Sequence, residues 1–386
     1  MARIFWRRST RFGLVVLVLL GLASACGSPA VALPIRIGVI APFSGEYADN
    51  GVATRRTAEL AAQEVNAAGG LLVDGVRRPI ELIYGDDQDS GEVAVNVAKR
   101  MINQDKVIAL VGVPFSRIAI PVANVAEKAQ IPLISSTSTN PETTAGKRFV
   151  FRATFTDPFQ GSVLARFARD ELKVERAAVL YDQASDYNRG IAEIFQRVFT
   201  EQGGDVVAFE AYITGATDFR AQLARIKASD AQVLVLPNYY TEIPLQAEQA
   251  RALGITVPLL GGDGWDVERA APLAVFDGSF VTQSWHPNNP NERAQAFIEV
   301  YKRAYNGDIP YDLIANTYDA FGLLFNAIER ANSTDGEAIR NQLASTTNYQ
   351  GVTGTITFPG SGDPIRSAVI ITIRDGKDSL YRTIDP

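Results

Sequence analysis

The chain carries one pattern of strands, helices and glycine stops twice. Asn66-Ala67-Ala68-Gly69-Gly70 leads into a strand-like run, a helix-like run, the apolar stretch 107–111 ending in Gly112, another helix, and Ile131-Pro132-Leu133-Ile134-Ser135. Thr200-Glu201-Gln202-Gly203-Gly204 opens the same succession, with Gln232-Val233-Leu234-Val235-Leu236-Pro237 and Val257-Pro258-Leu259-Leu260-Gly261 in the matching places. Strands alternating with helices imply a parallel sheet covered by helices. Two copies imply two such units, and open parallel sheets bind ligands at the carboxyl ends of their strands. The predicted fold is therefore α/β, doubly wound, in two lobes with parallel-sheet cores facing one cleft. That arrangement suits a binder of small molecules.

Composition narrows the partners. A chain of 386 residues can form two domains, each with a core of its own. The net charge is -6, although residues 1–25 contribute Arg3, Arg7, Arg8 and Arg11 and no acids. The rest is thus more acidic still, which argues against nucleic acid, whose phosphates need clustered Lys and Arg. One His and one Cys exclude a His/Cys metal cluster and an intramolecular disulfide. No cofactor is expected.

The N-terminus reads as a targeting segment. Basic residues up to Arg11 precede the apolar run 13–22 and the small residues Ala23-Ser24-Ala25, the layout of a secretory signal over 1–25. The run is shorter than the ~20 residues a membrane span needs. Arg7-Arg8 resembles a twin-arginine signal only loosely, because the next residues fit it poorly. Leu22-Ala23-Ser24-Ala25-Cys26 resembles a bacterial lipobox. The resemblance implies cleavage before Cys26, a diacylglycerol on its thiol, and a lipidated tether over 26–34.

Strands are expected at 35–40, 80–84, 107–111 and 132–135, with helices at 52–68, from Asp89-Ser90 with Val93, Val97 and Met101 on one face, and at 116–129. The second run gives strands at 176–181, 206–212, 233–236 and 258–260. Its helices carry Ile191, Ile194, Phe195 and Val198, then span 218–227 and 241–253. Beyond Val281 a Pro-rich connection, 285–290, leads into helices 291–305, 311–331 and 336–344, and 354–358 with 367–374 read as a closing pair of strands.

Ile37-Gly38-Val39-Ile40-Ala41-Pro42-Phe43-Ser44-Gly45, Val65–Gly70, Ile134-Ser135-Ser136-Thr137-Ser138-Thr139-Asn140-Pro141, Phe151-Arg152-Ala153 and Tyr239-Tyr240 together resemble the periplasmic leucine/isoleucine/valine-binding proteins. The likeness covers 35 to about 380. It implies a type I periplasmic-binding fold: two Rossmann-like lobes joined by three hinge segments, near 153–157, 281–285 and 352–355. Lobe 1 would comprise 35–155 plus 285–352, and lobe 2 156–284 plus 353–386. It also implies a monomer that closes on a small amino acid, branched-chain or otherwise neutral, and delivers it to the permease of an ABC importer. An amide, urea or amino-acid sensor of the same fold is the alternative.

The residues themselves suggest where such a ligand would lie. Ser116 opens a helix directly after a strand, where free N–H groups and the helix dipole favour an anion. Thr139 sits in the Ser/Thr-rich turn after the next strand. Alone, Ser116 reads more readily as an N-cap and Thr139 as a turn residue than as ligand contacts. The resemblance assigns both to the ligand's carboxylate, with the backbone of Thr137. Asp263, in Gly261-Gly262-Asp263-Gly264-Trp265, reads from sequence as a turn acid with room for close approach. The resemblance makes it the acceptor of the α-ammonium, in place of the more usual Glu, with Asp157 nearby and Tyr187 and Tyr239 as aromatic contacts. Asn50 stands where relatives often place an aromatic. Tyr47, Phe115, Arg117, Trp265 and Trp285 are further candidates for the side-chain pocket; Arg117 faces either the cleft, where it would suit an acidic or polar ligand side chain, or solvent, where it would say nothing of specificity. Gln88 and Phe115 replace a disulfide seen in some relatives. Arg152 is expected to be a structural ion-pair partner and His286 a bystander. An enzyme is disfavoured: the chain has no G-x-S-x-G, no H-E-x-x-H, no phosphate-binding loop, and a single His.

Overall fold

Two parallel sheets carry the molecule. In the computed structural model, which describes residues 1–2, 33–267 and 273–385, the predicted signal segment and Cys26 lie outside the described residues. The first half begins with β1 (Ile35–Ala41), α1 (Ala48–Ala67) and a small hairpin, β2 (Leu71–Val73) and β3 (Val76–Arg78). It continues through β4 (Ile80–Asp86), α2 (Gly91–Asn103), β5 (Ala109–Gly112), α3 (Ser116–Ala129), β6 (Leu133–Ser135) and β7 (Val150–Arg152). These strands form a five-stranded sheet in the order β4-β1-β5-β6-β7, every pair parallel.

The second half comprises α4 (Asp157–Asp170), β8 (Arg176–Asp182), α5 (Asp186–Glu201), β9 (Asp205–Tyr212), α6 (Arg220–Ala228), β10 (Val233–Leu236), α7 (Ile243–Ala252), β11 (Leu259–Gly261) and β12 (Ser279–Gln283). The parallel part of its seven-stranded sheet runs β9-β8-β10-β11-β12, the same relative order as the first. The repeat in the sequence is thus a repeat of topology. Strands buried on both faces by helices require continuous apolar runs, and Val233–Leu236 and Ala109–Gly112 are fully buried.

The chain then returns to the first half with α8 (Glu292–Ala304), α9 (Asp312–Ala331) and α10 (Gly336–Ala344), and α9 packs on α1. Two hairpins finish it. The expected pairing of 354–358 with 367–374 does not form. β13 (Tyr349–Gly351) pairs with β14 (Gly354–Ile356), while β15 (Ala368–Arg374) pairs antiparallel with β12 and with β16 (Lys377–Ile384). Ile356 and Phe358 are buried with Ile35 and Ile37 of the first sheet. The last crossing into the second sheet therefore lies just before Ala368, downstream of the expected 352–355.

Local signals held best where caps are strong: Ser90 accepts from the Val93 N–H at the start of α2, and Ser185 accepts from the Asn188 N–H at the start of α5. On α2, however, the fully buried face is Ala94, Ala98 and Met101, with Val93 and Val97 at its flanks. Arg366 joins the three crossings. Fully enclosed, it donates to the carbonyl of Ala153 on the first, to the carbonyl of Ser284 on the second at 3.2 Å, and to Asn316 Oδ1 on α9 at 3.0 Å. His286 is no bystander in packing: it is 1 % exposed, its Nδ1 accepts from the Asn288 N–H, and its Nε2 meets the Asp378 carboxylate at 2.8 Å.

Candidate ligand-binding site

Both sheets present the carboxyl ends of their strands to one cavity. From the first half it is lined by Asn50 after β1, Pro114, Phe115 and Ser116 after β5, Thr137 after β6, and Asp312 and Leu313 at the start of α9. From the second half come Tyr187 after β8, Tyr239 after β10, and Asp263, Gly264 and Asp266 after β11.

The Ser116 corner depends on a sharp exit from β5. Gly112 and Val113 both have positive φ, 108° and 46°. For a β-branched residue this conformation costs about 1–2 kcal/mol. The Val113 N–H donates to the Ile40 carbonyl at 2.7 Å and its carbonyl accepts from Ser135 Oγ at 2.9 Å, which hold the bend. The chain thereby enters α3 with its first N–H groups, which have no partner inside the helix, at the cavity wall. Ser138 Oγ donates to Ser116 Oγ at 3.1 Å, leaving the Ser116 hydroxyl hydrogen for another acceptor. Thr137 donates to the Pro114 carbonyl at 3.1 Å. Arg152 keeps this rim in place: fully buried, it pairs with Asp363 at 2.7 Å and donates to the carbonyls of Ser138 and Asn140.

The Asp263 corner is rich in carboxyls and nearly dry. Asp263 Oδ1 accepts from the Tyr187 hydroxyl at 2.7 Å and from Gln160 Nε2 at 2.9 Å, and the same Gln160 nitrogen reaches Asp157 Oδ1 at 3.0 Å. Burial raises the Asp263 pKa to about 8, with Asp312 and Asp157 adding to the rise and the Tyr187 and Gln160 hydrogen bonds opposing it. Burial likewise raises Asp157 to about 7. Asp312 is raised by burial too, although Ser284 Oγ and Asn316 Nδ2 bond its two oxygens at 2.6 and 3.0 Å. No Lys or Arg stands among the residues lining the cavity. A dry, acid-rich pocket with hydroxyls and helix N–H groups opposite is complementary to a dipolar ion.

Of the residues singled out from sequence, Ser116, Thr137, Tyr187, Tyr239, Asp263, Asn50 and Phe115 line this cavity. Thr139 and Asp157 do not. The Thr139 hydroxyl approaches Asp157 without closing a hydrogen bond, and Thr139 Oγ1 and Asp157 Oδ2 are both buried without partners. Asp157 stands one hydrogen-bond link away, through Gln160. Tyr47 closes the mouth instead, its hydroxyl 3.0 Å from Thr241 Oγ1 and its ring against Phe115, Tyr239 and Tyr240. Trp265 is a core residue that donates to the Leu236 carbonyl at 2.7 Å, and Trp285 is buried with Ala53 and Leu313. Arg117 is neither a cleft cation nor a solvated one. It pairs with Asp89 at 2.6 Å and lies over the rings of Tyr47, Phe115 and Tyr239, so its charge is neutralised beside the mouth.

Sequence reasoning missed Gln160, Asp266, Asp312 and Leu313. Gly264 and Asp266 adjoin Asp263, and Pro114 adjoins Phe115, so a signal was present for those. Asp312 and Leu313 begin a helix that sequence identified, but only the second crossing brings that helix end to the cavity.

The Periplasmic binding protein family model matches residues 34–378. The chain belongs to the periplasmic binding protein family. It is 28% identical over 334 residues to the Leu/Ile/Val-binding protein homolog 3 of Brucella melitensis, covering 85% of this chain and 88% of that one. The leucine binding protein LivK of Thermotoga maritima superposes with a TM-score of 0.85 at 34% identity, covering 91% of this chain and 99% of that one. LivJ of Streptococcus pneumoniae, a branched-chain amino acid transporter substrate binding protein solved with isoleucine, gives 0.84 at 32%, covering 92% and 100%. These relatives are binding proteins rather than enzymes, and the same holds for this chain. Membership places it outside the cytoplasm. Among the described residues no helix is long and apolar enough to cross a membrane.

Proposed function

We propose that the chain captures a small neutral α-amino acid between its two lobes and hands it to the membrane permease of an ABC importer. One observation carries this reading: a cavity with hydroxyl and helix N–H donors on one wall and desolvated, cation-free carboxyls on the other. The carboxylate would lie at Ser116 and Thr137, and the ammonium at Asp263, backed by Asp157 through Gln160. Among the described residues no group of three His, Cys, Asp or Glu side chains could hold a metal ion, which supports an organic cation as the partner of these acids.

Lobe closure is the accompanying mechanism: a ligand touching both walls favours the closed form by its differential affinity for it. The contacts of Tyr47 with Thr241 and of Tyr240 with Asp49 across the mouth fit a latch. The protein is proposed to act as a monomer, held at the membrane by a lipid on Cys26. Titration calorimetry of the delipidated protein against the neutral amino acids tests the binding role. Heat from at least one, at 1:1 stoichiometry, is expected; no binding to any would overturn it. For the anchor, Cys26→Ser is expected to shift the protein out of the membrane fraction, and unchanged fractionation and mass would refute lipidation.

A further inference from the structure

Among the described residues that line the cavity, Asn50 carries a side-chain amide oxygen that bonds to nothing in the protein. It is 2 % exposed, lines the cavity, and its Oδ1 is buried without a partner. Its placement is rigid. The next residue, Gly51, packs so closely on the preceding loop that a Cβ there would come within 2.2 Å of the Pro42 carbonyl oxygen. The Asn50 N–H is itself bonded to the Tyr47 carbonyl at 3.0 Å, which holds the backbone at the start of α1. A buried amide oxygen without a donor is costly unless something in the cavity supplies one.

We propose that Asn50 reads the ligand's side chain, and that the preferred ligand is an α-amino acid whose side chain ends in an uncharged hydrogen-bonding group, a hydroxyl or an amide. This rests on the amino-acid reading above and sharpens it. Pro114, Phe115 and Leu313 give the stem of that side chain an apolar wall. An acidic side chain would face Asp263, Asp266 and Asp312 with no lining Lys or Arg to offset them. A basic one would find Asp312 already bonded by Ser284 and Asn316, and Asp266 engaged with a partner of its own. An aliphatic one would leave the Asn50 amide unpaired, and sites built to hydrogen-bond a ligand group discriminate strongly against analogues that lack it.

Isosteric pairs test this directly: threonine against valine, and asparagine against leucine, titrated into the wild-type protein by calorimetry. In at least one pair the polar member is expected to bind tenfold or more tightly, and the pair that responds tells hydroxyl from amide. In Asn50→Leu, shown to be folded by its thermal transition, the polar-to-aliphatic ratio is expected to drop at least tenfold, while Asn50→Ser keeps the polar preference. Valine and leucine matching or beating their isosteres in the wild type would overturn the inference even if no variant folds, and so would tightest binding of lysine or arginine. In either case the protein still binds amino acids and the proposed function stands; binding of none removes both.

Discussion

The Ser116 corner and the Asp263 corner are made by the same device, a loop at the carboxyl end of a parallel strand, yet they favour opposite charges. The difference lies in the element that each loop enters. After β5 the chain enters a helix of 14 residues, whose unpaired N–H groups and dipole present positive potential. After β11 it enters only a three-residue 3₁₀ turn, Asp263–Trp265, so no long helix end faces the cavity there and a carboxyl stands in the loop instead. Two halves of one topology thus become the two poles of a site for a dipolar ligand.

The largest way to break this contrast is Asp263→Ala. Loss of the charge-assisted bond to the ammonium is expected to weaken binding on the order of 100-fold, about 2–3 kcal/mol, in calorimetry. Affinity retained within a few-fold would mean that the ammonium lies elsewhere.

The second test is pH. The folded pKa values of Asp157 and Asp263, about 7 and about 8, lie above the unfolded value of about 3.9. Their contribution to stability is therefore fully present below about pH 4 and is lost as pH rises through 7 and 8. The thermal transition of the ligand-free protein is expected to drop across that window more than in Asp157→Asn/Asp263→Asn. A bound ammonium, which favours both ionised forms, should flatten the drop. Equal pH dependence in wild type and double variant would refute the assignment.

Ser116→Ala is the smallest effect. The helix N–H groups remain, so the loss of one hydroxyl bond should cost about 1 kcal/mol, roughly fivefold in affinity. A loss as large as that of Asp263→Ala would show that the hydroxyl, not the helix end, carries the anion pole.

Much of this site was legible because strand, loop and helix start are adjacent in sequence. Ser116 could be placed at a helix N-terminus from its neighbours, and Asp263 in a glycine-flanked loop. Arg117 was not legible: its neutralising partner, Asp89, belongs to the loop after β4, and the rings beneath it come from both halves. Asp312 and Gln160 were illegible for the same reason. Each sits in a helix whose pattern is explained by packing, and nothing local marks one of its turns as facing a cavity. The closing strands failed otherwise. Residues 354–358 and 367–374 both look like strands, but strand patterning does not name a partner.

The order of apolar runs and glycine stops determined two parallel sheets with their ligand side at the carboxyl strand ends, because strand burial, helix capping and crossover handedness act over short stretches. The composition argued against nucleic acid as a partner and excluded a His/Cys metal cluster. Only the tertiary structure decided which carboxyls lose their water, which cations are already neutralised, and that Asn50 is left without a partner. Desolvation and pairing depend on groups that come together through three chain crossings, and no single stretch of sequence contains them.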